Sequence, residues 1–351
     1  MRWSLLVLMS LSLACTKKDA APAAPEKPAE TEPAPSPEGV AWDESPASAA
    51  KTAVARPLDS PELPPELRAP APALGAPPVL EVLEQGKEPR QALRFSVEPG
   101  SEQKVTLNVA FTIDALVVVM RVGEPIYIVS YDLTLRAGKA HSDGSMPVEF
   151  TVDAANIDME LVGDKRVSRM KLALKTARKI TGSYTLGPQG RVTNVEVSLP
   201  KDATRTSHDM ADNLRWALIQ MNPVFPEEPL GQGAKWTVHE GLMQGGIHVN
   251  QLTTMEVVKV EGKRVELAME QQQSAASQPF QSPGLPLTSD LRLMGGEADG
   301  TLDWDLSRLA PRSANISANV LKTIKQPTSD PKEKPIEVVV RASRALDFAR
   351  D

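Results

Sequence analysis

The stretch KVTLNVAFTID, residues 104–114, decides the fold class, because apolar and polar residues alternate along it. One side of the alternation carries apolar residues: Val105, Leu107, Val109, Phe111 and Ile113. A period of two residues is typical of a half-buried β-strand. The sequence YIVSYDLTLR at 127–136 has the same period and predicts a second strand.

Further strands are predicted on both sides of short polar connections. VEFTVDAANIDMELV (148–162) and VSRMKLALKTA (167–177) are both interpreted as strands. The segments AGKAHSDGS (137–145) and LGPQGR (186–191) supply the Gly, Asp and Pro residues that turns use. This order predicts an antiparallel meander.

One helix is predicted over residues 207–221, SHDMADNLRWALIQM. Ser207 is suited to the N-cap, and the pair Asn222-Pro223 ends the helical pattern. An apolar stripe, formed by Met210, Leu214, Leu218 and Met221, recurs at helical spacing. We expect this stripe to pack against the sheet as core.

The predicted fold is therefore mainly β (α+β), a curved antiparallel sheet or half-barrel with one crossing helix. Two related halves, 90–200 and 231–345, are expected from internal echoes. VGDKRVSRMKLAL (162–174) resembles VEGKRVELAME (260–270), and the segment at 182–199 resembles the one at 300–320. The alternative is coincidence among alternating hairpins. Residues 271–289, rich in Gln, Ser and Pro, are interpreted as a loop inserted in the second half.

The N-terminus has the features of a targeting segment. Arg2 supplies a positive charge, and residues 5–13 are mostly leucine and other apolar residues broken by serine. This apolar run is too short to span a bilayer, so residues 1–14 are interpreted as a signal peptide.

The single cysteine, Cys15, stands at the end of this segment, in SLAC. The arrangement resembles a bacterial lipoprotein signal, although the leucine lies two residues before the cysteine rather than three. The resemblance implies that Cys15 is lipidated and becomes the first residue of the mature chain. No aspartate follows Cys15, which by the same resemblance favours the outer membrane. The alternatives are an ordinary secreted protein cut nearby, or a buried thiol.

Residues 15–84 are predicted to be a disordered tether, since many of the 31 prolines lie here among alanines and few large apolar residues. Trp42 is the one large aromatic residue of this segment; it is either a short docking element or incidental. The globular domain is expected to cover 85–351.

No motif predicts catalysis, a cofactor or a metal site, so the chain is interpreted as a non-enzyme. The HSDGS segment at His141 is predicted to be a turn. Asp303 and Asp305 are predicted to lie on the solvent side of a strand. His239 and His248 could bind a metal across a hairpin, but the sequence favours the interpretation of both as surface histidines. The net charge of −6 does not favour nucleic acid as a partner.

The most distinctive segment is NPVFPEEPLGQGAKWTV, residues 222–238. Prolines favour an extended path, Gly231 and Gly233 permit a turn, and Trp236 opens a strand. The pattern resembles uncharacterised β-rich lipoproteins of bacteria, over roughly residues 90–345. That family has no defined activity, so the resemblance implies fold and location only. Independently, Trp236 is expected to fill the core where the second half begins.

Two functions follow as hypotheses. In the first, a lipid-anchored cell-envelope protein binds a lipid-like ligand in its concave face, without catalysis. That hypothesis requires a cavity lined by residues such as Phe111, Tyr127, Tyr131 and Met170. In the second, a structural or assembly lipoprotein presents its sheet to an envelope protein partner, which requires a packed interior and an exposed apolar patch.

Overall fold

The computed structural model describes residues 63–117, 120–123, 127–158, 172–281, 288–327 and 334–349. These residues form a mainly β structure, as predicted, with one large antiparallel sheet that is curved and is not closed into a barrel. Within the described ranges, no helix is both long enough and apolar enough to cross a membrane.

Fourteen strands of the described region belong to this sheet. Their bounds are β1 Val79–Glu84, β2 Glu102–Val117, β3 Met120–Gly123, β4 Tyr127–Ala137, β5 Met146–Asp158, β6 Thr181–Leu186, β7 Val192–Ser198, β8 Lys235–Gln244, β9 Ile247–Glu261, β10 Arg264–Ala275, β11 Gln278–Phe280, β12 Ser289–Asp305, β13 Ser313–Gln326 and β14 Ile336–Ala349. Neighbours follow the order β1-β8-β9-β10-β12-β13-β14-β2-β4-β5-β6-β7, with β3 paired to β2 and β11 to β12.

The sheet consists of two meanders that meet in its middle. The first meander runs from β2 to β7, which lies at one edge. The chain then passes through a helix, Arg205–Gln220, and enters β8 next to the opposite edge. The second meander runs back from β8 until β14 pairs with β2 along 12 residues. The long helix therefore connects the two ends of the sheet, which confirms the predicted crossing helix.

The register of β2 and β4 shows why the alternating pattern predicted these strands. Leu107 pairs with Tyr131 and Val105 with Leu133, and all four side chains are buried. Cross-strand pairs of apolar residues on one face stabilise a sheet. We call this face, which packs against the long helix, the inner face.

The helix Arg205–Gln220 begins two residues before its predicted start. Thr204 is the N-cap, and its hydroxyl accepts a hydrogen bond from the Ser207 backbone N–H at 3.2 Å. Ser207 is therefore not the cap; it lies in the first turn and is fully buried. The predicted apolar stripe is confirmed, because Met210, Leu214 and Leu218 all lie in the main core.

Two tryptophans hold the chain where it leaves this helix. Trp304 donates from Nε1 to the Met221 carbonyl at 2.9 Å, and Trp236 donates to the Val224 carbonyl at 2.8 Å. Both indoles are fully buried. Since the last carbonyls of a helix lack partners within it, the Trp304 bond satisfies one of them. The prediction that Trp236 fills the core is confirmed.

A second, smaller core lies where β9 and β12 begin and β10 ends. It contains six buried residues: Ile247, Val249, Ala275, Phe280, Leu291 and Met294. Strand β11 supplies Phe280, and β11 pairs with the beginning of β12.

Two predictions about elements are wrong. Residues 172–177 are helical, not part of a strand. Most of the segment 162–174 lies outside the described residues, so its echo with 260–270 stays a prediction. Residues 182–199 and 300–320 do each contain an antiparallel hairpin connection. The predicted insertion loop also begins later than Gln271, because Gln271–Ala275 belong to β10 and 278–280 form β11.

The predicted end of the tether is also wrong. β1 lies inside the segment assigned to the tether and pairs with β8. Before it, the short helix Pro65–Arg68 packs on β9 and β10, with Leu67 fully buried. The Asn250 side chain donates to the Glu66 carbonyl at 2.8 Å. The folded body therefore extends at least to Leu63, and the signal peptide, Cys15 and Trp42 lie outside the described residues.

Candidate functional site

Tyr131, one of the predicted ligand-facing residues, is part of the packed core. Its side chain is fully buried, and its hydroxyl donates to the Met210 carbonyl of the long helix at 3.3 Å. Burial raises the pKa of the Tyr131 hydroxyl well above its usual value. The helix therefore covers Tyr131, and this side chain does not line an open cavity.

The other three predicted residues are placed only in part. Met170 lies outside the described residues. For Phe111 and Tyr127 the backbone is described and the side chains are not. Phe111 pairs with Tyr127 across β2 and β4, and with Arg344 across β2 and β14. Two of the four predicted residues are thus direct neighbours in the sheet.

Beyond the long helix, the inner face of β13 and β14 is partly uncovered. From Ser313 to Ala318 the residues of β13 alternate between more exposed and buried positions, but Asn319 to Lys325 are all half-buried. Four half-buried apolar residues of the inner face form what we call the β13–β14 patch: Val320, Ile324, Val340 and Ala342. Val320 and Ile324 contact the smaller core along one side.

A band of polar side chains crosses the inner face between the two cores. It consists of four buried glutamines and one half-buried carboxylate, which we call the glutamine relay: Gln220, Gln251, Gln271, Gln273 and Glu240. Gln220 comes from the long helix, and the others come from β8, β9 and β10. Buried polar groups are stable in a core only when they are hydrogen-bonded.

The amides of the relay donate in one direction. Gln273 Nε2 donates to Gln251 Oε1 at 2.7 Å, and Gln251 Nε2 donates to Glu240 Oε1 at 3.2 Å. On the second branch, Gln271 Nε2 donates to Gln220 Oε1 at 3.0 Å. Gln220 Nε2 then donates to Gln251 Oε1 at 3.4 Å. Both branches therefore end at Glu240, which only accepts.

Glu240 lies beside a cavity of about 40 Å³, lined also by Gln220, Gln251 and Asn222. Burial raises the pKa of Glu240, while Arg191 and the bond from Gln251 oppose that shift. Among the described residues, Asn222 Oδ1 is buried without a hydrogen-bond partner. The volume accommodates a few water molecules and is far below the roughly 300–1,000 Å³ of ligand pockets. The relay therefore organises the core and is not itself a lipid site.

The histidines and paired carboxylates considered from sequence have structural partners. His239 Nε2 lies 2.7 Å from Asn250 Oδ1, and His248 Nε2 lies 2.9 Å from the Pro72 carbonyl oxygen. Asp303 pairs with Arg264 at 2.9 Å, and Asp305 accepts from Ser307. These four side chains therefore fix loops and neighbouring strands.

The HSDGS segment is a turn, as predicted. The Gly144 N–H donates to the His141 carbonyl at 3.1 Å, and Ser145 donates to Asp143. The hydrogen bonds from the Ser145 hydroxyl and the Ser145 backbone N–H lower the pKa of the Asp143 carboxyl.

Sequence reasoning missed the glutamine relay. It assigned Gln271 and the residues after it to a loop, because glutamine is polar. The signal was the continuing period of two, in which Leu267, Met269, Gln271 and Gln273 occupy the same face.

Comparison with known protein families and with curated proteins found no match for this chain.

Proposed function

We propose that this chain is a lipid-anchored lipoprotein of the bacterial cell envelope, held in the outer membrane through Cys15. Its β body is proposed to be a non-enzymatic binding module for a hydrophobic ligand. The observation that carries this proposal is the β13–β14 patch, an apolar part of the inner face that the long helix leaves partly uncovered. The resemblance to β-rich bacterial lipoproteins agrees with the location.

The patch supports a ligand site because it continues the core and is only partly covered by the residues that the structure describes. Ile316 and Ala318 lie in the main core, whereas Val320 and Ile324, on the same face of β13, are half-buried. Val320 to Ile324 spans roughly 13 Å of strand. Partly exposed apolar surface that continues a core is favourable for an apolar ligand, since covering it removes that surface from water.

The absence of catalysis in this proposal rests on how the described ionisable groups are used. Asp303, His239 and His248 bind neighbouring strands or loops, and Glu240 ends a hydrogen-bonded relay beside a small cavity. A catalytic site instead needs a nucleophile or an acid–base pair directed at a substrate-sized space.

The proposal is tested with the chain lacking residues 1–15, which retains every described residue. Native mass spectrometry and lipid extraction of this protein are expected to detect a bound lipid. Val320→Trp, which fills the patch, is expected to remove the lipid. Leu321→Trp, one residue further on the opposite face, is the matched control and is expected to retain it. A lipid-free wild-type protein that also binds no added fatty acid would contradict the proposal.

A second function, assembly with an envelope protein, is favoured by the edge strand β1. Val79 is 59% exposed and Leu83 is 51% exposed, and β1 leaves one edge of the sheet without a partner strand among the described residues. An exposed apolar edge strand is a template for pairing with another chain. Val79→Lys with Leu83→Lys is expected to abolish capture of a specific envelope protein in cross-linking experiments. Loss of capture with no change in bound lipid would assign β1 to assembly.

A further inference from the structure

We propose that Lys322 and Arg344 bind the negatively charged group of an amphiphilic ligand whose apolar part covers the β13–β14 patch. This inference rests on the proposed ligand-binding function and names its ligand class: an amphiphile that carries a carboxylate or a phosphate.

Both cations belong to the inner face: Lys322 lies within the patch, and Arg344 lies at its edge. Lys322 lies on β13 between Val320 and Ile324 of the same face and pairs with Val340. Arg344 lies on β14, pairs with Ala318, and is followed on the same face by Leu346 of the main core. Strand alternation therefore places two positive side chains on an otherwise apolar surface.

The charges around these two side chains do not balance. Arg344 interacts electrostatically with Asp212 and Asp209 of the long helix, and its guanidinium lies 5.4 Å from the ring centre of Trp216. Asp209 also lies 4.0 Å from Arg205. Lys322 has no ion pair among the described residues, and the charged group that acts on it is Arg344, which repels it.

The unbalanced ammonium group is costly for the unliganded protein. Burial, followed by repulsion from Arg344, lowers the pKa of Lys322 to about 8. A partly desolvated charge without a partner is destabilising, and a buried charge is normally paired. An anion bound between Lys322 and Arg344 would supply the missing partner through charge-assisted hydrogen bonds.

The surroundings favour an amphiphile over a small inorganic anion. Val320, Ile324 and Val340 adjoin Lys322 and contribute apolar side chains with no charge to bind a second anionic group. The predicted ligand-facing position Phe111 pairs with Arg344 in the sheet register. The anionic end is thus placed at the cations and the apolar chain along the strands.

The experiment uses the chain without residues 1–15 and two fluorescent probes, parinaric acid and its methyl ester. The two probes share the same chain and differ in charge. Wild-type protein is expected to bind the acid at least about ten-fold more tightly than the ester. Lys322→Met and Arg344→Met are each expected to weaken binding of the acid by about ten-fold, with little change for the ester.

Matched controls remove a cation from the outer face of the same strands. Lys325→Met on β13 and Arg341→Met on β14 are expected to leave the affinity for the acid unchanged. Circular dichroism melting checks folding, and Lys322→Met is expected to melt at the wild-type temperature or above it, because an unpaired charge is removed.

The outcomes separate this inference from the function on which it rests. Equal affinities of wild type for acid and ester would overturn the role of the cations and leave hydrophobic-ligand binding intact. Equal losses in Lys322→Met and Lys325→Met would have the same meaning. Binding of neither probe would overturn both. Inorganic phosphate that binds as tightly as the acid would replace the amphiphile with a free anion.

Discussion

At the scale of single residues, Glu240 determines the direction in which the hydrogen bonds of the glutamine relay run from donor to acceptor. A carboxylate only accepts hydrogen bonds, so each amide of the relay can donate towards it. The same burial that protects these bonds makes the negative charge of Glu240 costly. The relay therefore couples the stability of the core to the ionisation of one side chain.

Glu240→Gln is expected to raise the free energy of unfolding at pH 7. The pKa of Glu240 is raised in the folded protein, so the folded state binds its proton more tightly than the unfolded state does. Stability is therefore lost as pH rises from about 4.5 through the folded-state pKa. The variant keeps an oxygen acceptor for Gln251 and lacks this loss. Urea unfolding at pH 4.5 and pH 7 measures both effects, with the exposed Glu81→Gln as control; a less stable Glu240→Gln at pH 7 would contradict the prediction.

Lys322 has the opposite pH dependence. Its pKa is lowered to about 8 from 10.5, so between these values the unfolded state binds more protons than the folded state. The contribution of Lys322 to stability is expected to rise as pH increases from about 8 to 10.5. The difference in unfolding free energy between wild type and Lys322→Met isolates this contribution. If that difference stays constant over the range, the lowered pKa is wrong.

At the scale of elements, the end of the long helix depends on indole side chains from distant strands. Trp304 of β12 binds the Met221 carbonyl, and Trp236 of β8 binds the Val224 carbonyl two residues after Asn222. Phe95 contacts the Trp304 ring edge-on, with ring centres 5.0 Å apart. The sheet and the helix therefore position each other.

Trp304→Phe is expected to lower the free energy of unfolding by about 1–3 kcal/mol, because it leaves the buried Met221 carbonyl without a donor. Trp236→Phe is expected to have a similar effect at Val224. Trp216→Phe is the matched control: it is the same exchange at a tryptophan whose ring contacts the Arg344 guanidinium. Urea denaturation followed by circular dichroism measures all three. An equal loss in the control would assign the effect to lost volume instead.

At the scale of the whole molecule, residues 63–84 join the body to the proposed tether. Leu63 and Leu67 are buried on the sheet, Gly241 lies directly against the Pro72 carbonyl, and β1 covers β8. Position 241 therefore requires glycine, since a Cβ there would clash with the backbone of Pro72. The connection is thus part of the fold.

A chain that begins at residue 85 is expected to be less stable than one that begins at residue 63 by more than about 3 kcal/mol. The shorter chain loses the burial of two leucines and exposes β8. Thermal melting of the two chains measures the difference. Identical melting temperatures would return residues 63–84 to the tether.

Cys15→Ser is expected to release the whole protein from membranes and to abolish labelling by radioactive palmitate. Stable anchoring requires acyl chains, which the serine variant cannot carry on a thioether at this position. Thr16→Ser, the neighbouring substitution, is the control and is expected to remain in the membrane fraction. Unchanged membrane association of Cys15→Ser would contradict the proposed anchor.

The sequence by itself determined the fold class, the crossing helix and strands such as β2 and β4, since these depend on local periodicity. The alternation at 104–114 identified β2, and the apolar stripe from Met210 to Leu218 identified the helix face. Local pattern could not locate the N-cap at Thr204, because Thr204 and Ser207 are both good capping residues.

Only the tertiary structure decided which polar residues enter the core and which early residues join the body. The sequence assigns Gln271 to a loop, whereas in the structure Gln220, 51 positions away, accepts its hydrogen bond. The place of Lys322 on the inner face likewise depends on the position of β13 between β12 and β14. The physical reason is the same in both cases. Burial and charge balance depend on partners that are distant in the chain, whereas periodicity contains information only about residues that are close in sequence.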